Sequence, residues 1–290
     1  MKKKRLNALI NLLDDPDDKI FESVEKELLK ENHQIIPDLE KKWEASFDEF
    51  YQERIENLIQ DLQFGQTKKQ LKLWLHSKQH NLLEGFLTID RFQYPDINLL
   101  GVHQKMEKIK NEIWLEFNNS LTLLEKITIL NHFIFHIHGF TINHNNINSP
   151  QNCFLNQMLD TKNGNPVSIG IFYTIIARQL GISAQFSDYP KNPLVAIVDR
   201  ELAKKVHGND THTSVLFYIN PSNKGSITSR KEIDYHLKKN NYEPTDYFAE
   251  PKDDIYFIKR LAESLLESYQ SVGYTEKQAK INELTGLFPK

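Results

Sequence analysis

The segment from Asn163 to Phe186, NGNPVSIGIFYTIIARQLGISAQF, reads as a tight turn, a buried helix and the start of a strand. Gly164 and Pro166 shape the turn, and Pro166 suits an early helical position because the N–H it lacks would go unpaired there. Ile169, Phe172, Ile176 and Leu180 give the helix an apolar face that needs a core to lie against. A turn of this kind often presents a nucleophile at the helix start, where the helix dipole favours a thiolate, and Pro166 stands in that place.

The chain before this segment reads as helix after helix. Leu6, Leu9, Ile10 and Leu13 space as one helical face, DDPDD stops it, and Ile20, Phe21, Val24, Leu28 and Leu29 form a second. Pro37 sits near a third start, with Leu39 and Trp43 on one side, and residues 47–63 carry apolar side chains from Phe47 to Leu62 at spacings of three and four. Further helices are expected at 68–75, 81–92, 97–117 and 120–137. The tandem hairpins resemble HEAT-like repeats, either closing onto one core as a cap or offering a concave binding face.

Beyond Leu180 the period changes. ISAQFSD, LVAIVD and TSVLFYIN are short β-rich runs, separated by turns and by the charged insertion RELAKKVHGNDTH, and predict a small antiparallel sheet. Ser229 and Glu232 then have the spacing of a capping box. Two closing helices follow, the first ended by Gly273 and the second opened by a Thr275 cap, a pair like one tetratricopeptide unit. The order predicts a predominantly helical α+β fold with a helical N-terminal region at 1–118, a mixed domain at 119–242 and a helical tail at 243–290.

Function classes narrow through charge and cysteine. A net charge of −3 over 290 residues gives no bulk drive toward nucleic acid. Cys153 is the single cysteine, which rules out an intramolecular disulfide and a cysteine-rich zinc site and fits a reducing compartment, so a cytoplasmic setting is expected. MKKKRLNALINLLDDPDD begins like a signal peptide, but Asn7 and Asn11 interrupt the apolar run and no small-residue cleavage site follows, so an amphipathic helix is expected. No stretch approaches the ~20 apolar residues of a membrane span.

The stretch NHFIFHIHGFTINHNN places His132 and His136 four apart, on one helical face at a separation that suits a divalent metal. Phe133 lies where zinc helices of the H-E-x-x-H type carry Glu, so solvated or hydrogen-bonded histidines are expected and no cofactor is implied. His207, Asp210 and His212 form a second, loop-borne group with the same expectation.

Three pieces in order carry a family resemblance: NSPQNCFLNQMLDTKNGNPVSIGIFYTIIARQLGISAQF, then YPKNPLVAIV, then FYINPSNKGSITSRKEI. Across about Phe133 to Leu237 the chain resembles the transglutaminase-like superfamily, and within it the bacterial SirB-type branch. The resemblance implies a papain-like core whose active members use a Cys-His-Asp triad. It lays Pro166 on the Cys, Asn192 on the His and Asn220 on the Asp. Proline carries no nucleophile and asparagine no general base, so every triad position is chemically empty. Ser168, about 200° around the helix axis from Pro166, aims elsewhere, and Cys153 reads as a small buried thiol. The resemblance thus implies a non-catalytic, regulatory protein that binds an unidentified protein partner. The alternative is a thiol-dependent hydrolase or acyl transferase using Cys153, with a loop histidine such as His207 or His212 as base.

Overall fold

A computed structural model describes residues 3–31, 33–190, 192–208, 213–245 and 249–289. Contacts divide the chain into two compact units, Met1–Leu73 and Trp74–Lys290. The division falls inside the stretch expected as one N-terminal region, 1–118.

The first unit is helical. It holds α1 (Lys3–Asn11), α2 (Asp18–Leu29), α3 (Ile36–Ala45) and most of α4 (Glu49–Leu75). The apolar spacings become one core of Ile10, Leu13, Leu28, Leu39, Ile55 and Leu58. The DDPDD turn is held from across the unit: Arg54, almost fully buried, donates to the carbonyls of Leu13 and Asp15 and pairs with Asp18. Its guanidinium also lies 4.0 Å from the Phe21 ring centroid and 4.2 Å from that of Phe50. The helices read separately at 47–63 and 68–75 are one continuous α4, because Gly65 is exposed and its cost of about 1 kcal/mol is too small to break a 27-residue helix.

In the second unit, α5 (Leu82–Gln93), α6 (Leu99–Leu115) and α7 (Leu123–Asn131) precede a π-helical turn at His132–Ile137. The reading of 120–137 as a single helix is corrected at both ends. Thr122 and Glu125 form a capping box that starts α7 later, and the histidine stretch winds into the π-turn. Strand β1 (Thr141–Ile142) then pairs in parallel with β2 (Asn163–Gly164), which leads into the central helix α9 (Pro166–Gln179). Gly164 lacks a side chain for cause: a Cβ there would lie 2.7 Å from Ser168 Oγ and 2.8 Å from Ile169.

The antiparallel sheet runs in the order β3 (Ala184–Ser187), β4 (Leu194–Val198), β5 (Val215–Asn220), β6 (Ser226–Thr228). Both faces of β4 are covered, as its unbroken apolar run requires. Leu194 and Ala196 pack with Ile233 and Leu237 of α11 (Arg230–Lys239), while Val195 and Ile197 alternate to the other face. Ser229 caps α11 in the predicted box. The charged insertion is corrected in part, since Arg200–His207 is a helix, α10, capped by Asp199.

The closing helices are α12 (Asp254–Val272) and α13 (Thr275–Thr285). The cap of α13 is Tyr274, with Thr275 inside the first turn, which corrects the Thr275 assignment. α12 belongs to the core of its unit: Phe257 stacks on Phe186 at 4.0 Å, Asp254 pairs with Arg178 at 2.7 Å, and Tyr256 donates to Asp188 at 2.8 Å.

Candidate functional site

The start of α9 is built from short-range chemistry. Asn165 is the N-cap: its Oδ1 accepts the Ser168 N–H at 2.8 Å, and Ser168 Oγ accepts the Asn165 N–H at 3.0 Å. Pro166 follows as the first helical residue, where its missing N–H costs nothing. Ser168 is fully buried, and its hydroxyl donates to the Asn152 carbonyl at 2.7 Å. This hydroxyl therefore serves the cap and the preceding turn.

Cys153 lies beside this cap rather than in a cleft. Asn165 Nδ2 donates to its sulfur at 3.1 Å and to Ser264 Oγ at 3.0 Å, and Ser268 Oγ stands 4.0 Å from the sulfur. The thiol is fully buried, and burial pushes its pKa up to about 12, outweighing the bonds from the serines and Asn165. No imidazole is among its hydrogen-bond partners in the described residues. α12 supplies Ser264 and Ser268, so this helix covers the α9 start.

The other two positions implied by the resemblance lie together. Val195 pairs with Ile219, which brings the first residue of β4 opposite Asn220 at the end of β5. Asn192 and Asn220 line one cleft of about 530 Å³ between the sheet and α11, and Pro166 is not among its lining residues. Asn220 Oδ1 accepts the Ser222 N–H at 3.0 Å, closing the turn before β6. A second cavity of about 500 Å³ lies at the α5–α6 turn, beside the Lys105–Asp160 ion pair.

His132 and His136 are exposed and stack with ring centroids 5.7 Å apart on the π-turn. Among the described residues no group of three or more His, Cys, Asp or Glu could hold a metal. His207 is exposed at the end of α10, and Asp210 and His212 lie outside the described residues.

Sequence reasoning missed four participants. Asn165 and its bond to Ser168 were readable as N-x-x-S ahead of an apolar helix. Ser264 and Ser268, four apart on α12, show their role only once that helix is placed on Cys153. Asp90 was hidden in the apolar face of α5. Fully buried, it accepts the N–H groups of Leu155 and Asn156 at 2.8 and 2.9 Å, opening α8 (Leu155–Thr161), and burial raises its pKa to about 7.

No helix among the described residues is long and apolar enough to cross a membrane. The sequence model described as "Transglutaminase-like superfamily" matches residues 101–263, more than half of the chain. Relatives include the UPF0162 protein of Xylella fastidiosa, in strains Temecula1 and 9a5c. Each is 30% identical over 121 residues, covering 40% of this chain and 41% of the relative. The match thus spans about two fifths of the length of these curated relatives. No solved structure matches.

Proposed function

Given that the chain belongs to the transglutaminase-like superfamily, we propose that it is a non-catalytic member, a regulatory protein that keeps the fold and binds a protein partner. The observation that carries this reading is the start of α9. Pro166 is the first residue of α9, the place where the resemblance puts the family's nucleophile, and the nearby thiol, Cys153, is sealed under α12 with its pKa raised. A buried thiol held as the neutral form is a poor nucleophile. The amides at Asn192 and Asn220 cannot shuttle a proton at neutral pH. In this reading the HEAT-like first helices and, separately, the tetratricopeptide-like final pair each offer a binding surface, the SirB-type resemblance points to regulation, and the cytoplasm is the setting.

The test is the rate of Cys153 alkylation by iodoacetamide as a function of pH, in the folded chain and in urea. The expected result is modification at least ~100-fold slower in the folded chain than in the unfolded one. Fast reaction of the folded protein, with an apparent pKa well below ~8.5, would sink the reading in favour of a thiol-dependent hydrolase or acyl transferase.

A further inference from the structure

We propose that the cleft between α11 and the β4–β6 end of the sheet holds an uncharged peptide segment of a partner protein, with an apolar side chain on its floor. The proposal rests on the partner-binding reading above and names the chemistry that the partner presents. At about 530 Å³ the cleft falls in the size range of ligand sites. Its floor is apolar, formed by the buried side chains of Leu194, Ile233 and Leu237.

The rim selects the occupant by charge. Among the described lining residues there is no Asp, Glu, Lys or Arg, and His236 is the single imidazole, so these residues offer a seated carboxylate or ammonium no fixed counter-charge. Asn192, Asn220, Asn223 and Asn240 line it instead. Local bonds set what three of these amides offer. Asn220 Oδ1 is taken by the Ser222 N–H, Asn223 Nδ2 donates to Ser226 Oγ at 3.1 Å, and Asn240 Nδ2 donates to the His236 carbonyl at 2.8 Å. An amide has two N–H donors and a carbonyl with two lone pairs. After these bonds Asn220 keeps both donors and a lone pair, and Asn223 and Asn240 each keep one N–H and the carbonyl, so the rim offers donors and acceptors together. A phosphate or carboxylate wants donors alone and an ammonium wants acceptors alone, whereas a peptide group wants both.

The strand order supplies a second, independent argument. β6 is the outer strand, pairing with β5 through Tyr218–Thr228, Ile219–Ile227 and Asn220–Ser226, and its three residues line the cleft. An extended chain laid along the outer edge of β6 continues the ladder with main-chain bonds while one side chain drops to the floor. A neutral sugar could satisfy the amides but would leave that strand edge unused.

The test is a titration of the isotope-labelled full chain with blocked tripeptides, followed by NMR of the asparagine side-chain amides and the β6 backbone amides. The probes are acetyl-Ala-Leu-Ala-amide, its Glu- and Lys-centred analogues, and maltose. Saturable shifts at Asn220, Asn223, Ile227 and Thr228 are expected with the Leu peptide, and binding about tenfold weaker with both charged peptides. Asn223→Asp, an exposed substitution, is expected to move the preference to the Lys peptide with no change in melting temperature. The proposal is overturned by the absence of saturable shifts up to about 10 mM, by equal shifts from all three peptides, or by shifts from maltose alone. Peptide cleavage in the same spectra would overturn the non-catalytic reading and leave the cleft assignment standing. Absence of binding with intact peptides would do the reverse.

Discussion

Gly225 sits at φ +73°, and a Cβ on it would lie 2.4 Å from Asn131 Oδ1 and 2.7 Å from Phe135. Asn131 is fixed there from both ends, since its Nδ2 donates to the Gly225 carbonyl and its Oδ1 accepts from the Tyr173 hydroxyl. Gly225→Ala is therefore expected to destabilise by roughly 2 kcal/mol or more, read as a shifted urea midpoint with unchanged slope. Asp90 gives a pH signature. Its pKa rises from the ordinary 3.8 to about 7, so the folded chain keeps this proton to a higher pH than the unfolded chain does. The stability it contributes is complete below 3.8 and is lost as pH rises through about 7. Against Asp90→Asn, the wild type is expected to lose stability across that window by at most about 1.4 kcal/mol per pH unit. Urea unfolding of both proteins at several pH values checks it, and a constant difference would refute it.

The α9 cap is an element-scale device. Asn165→Ala removes the cap and the two bonds from Nδ2, and is expected to cost about 2 kcal/mol, with Ser168→Ala costing about 1 kcal/mol. On α4 the opposite sign applies. Gly65 is exposed with nothing within 4 Å of its missing Cβ, so Gly65→Ala is expected to raise stability by about 0.5–1 kcal/mol. Denaturation midpoints test all three. Legibility also divides at this scale. Local chemistry showed through: Ser229 with Glu232, Pro166 at a helix start, and the apolar run of β4 each name their own neighbours. α10 and β6 were hidden because charge in one and turn residues in the other masked short elements, which Asp199 and the pairing with β5 hold in place. At the candidate site, Pro166 and Asn165 were within reach of sequence logic. The seal over Cys153 was not, because Ser268 is 115 residues away.

For the whole molecule, the question is whether the C-terminal pair is separable. The contacts of α12 with Phe186, Arg178, Asp188 and Asn165 argue against independence. Deleting residues 254–290 is expected to leave an aggregating chain with a rapidly alkylated Cys153, and a soluble fragment with a protected thiol would contradict this. The family match, which runs to residue 263 within α12, is consistent with that expectation. The same helix has a consequence for biosynthesis. Tyr269 bonds Gln93 across 176 residues, so the stretch around α9 leaves the ribosome long before the helix that closes it. At ~5–20 residues per second, the interval between Phe186 and Phe257 lasts on the order of ten seconds. During that time the nascent chain carries an aromatic surface around Phe186 that the closing helix has yet to cover.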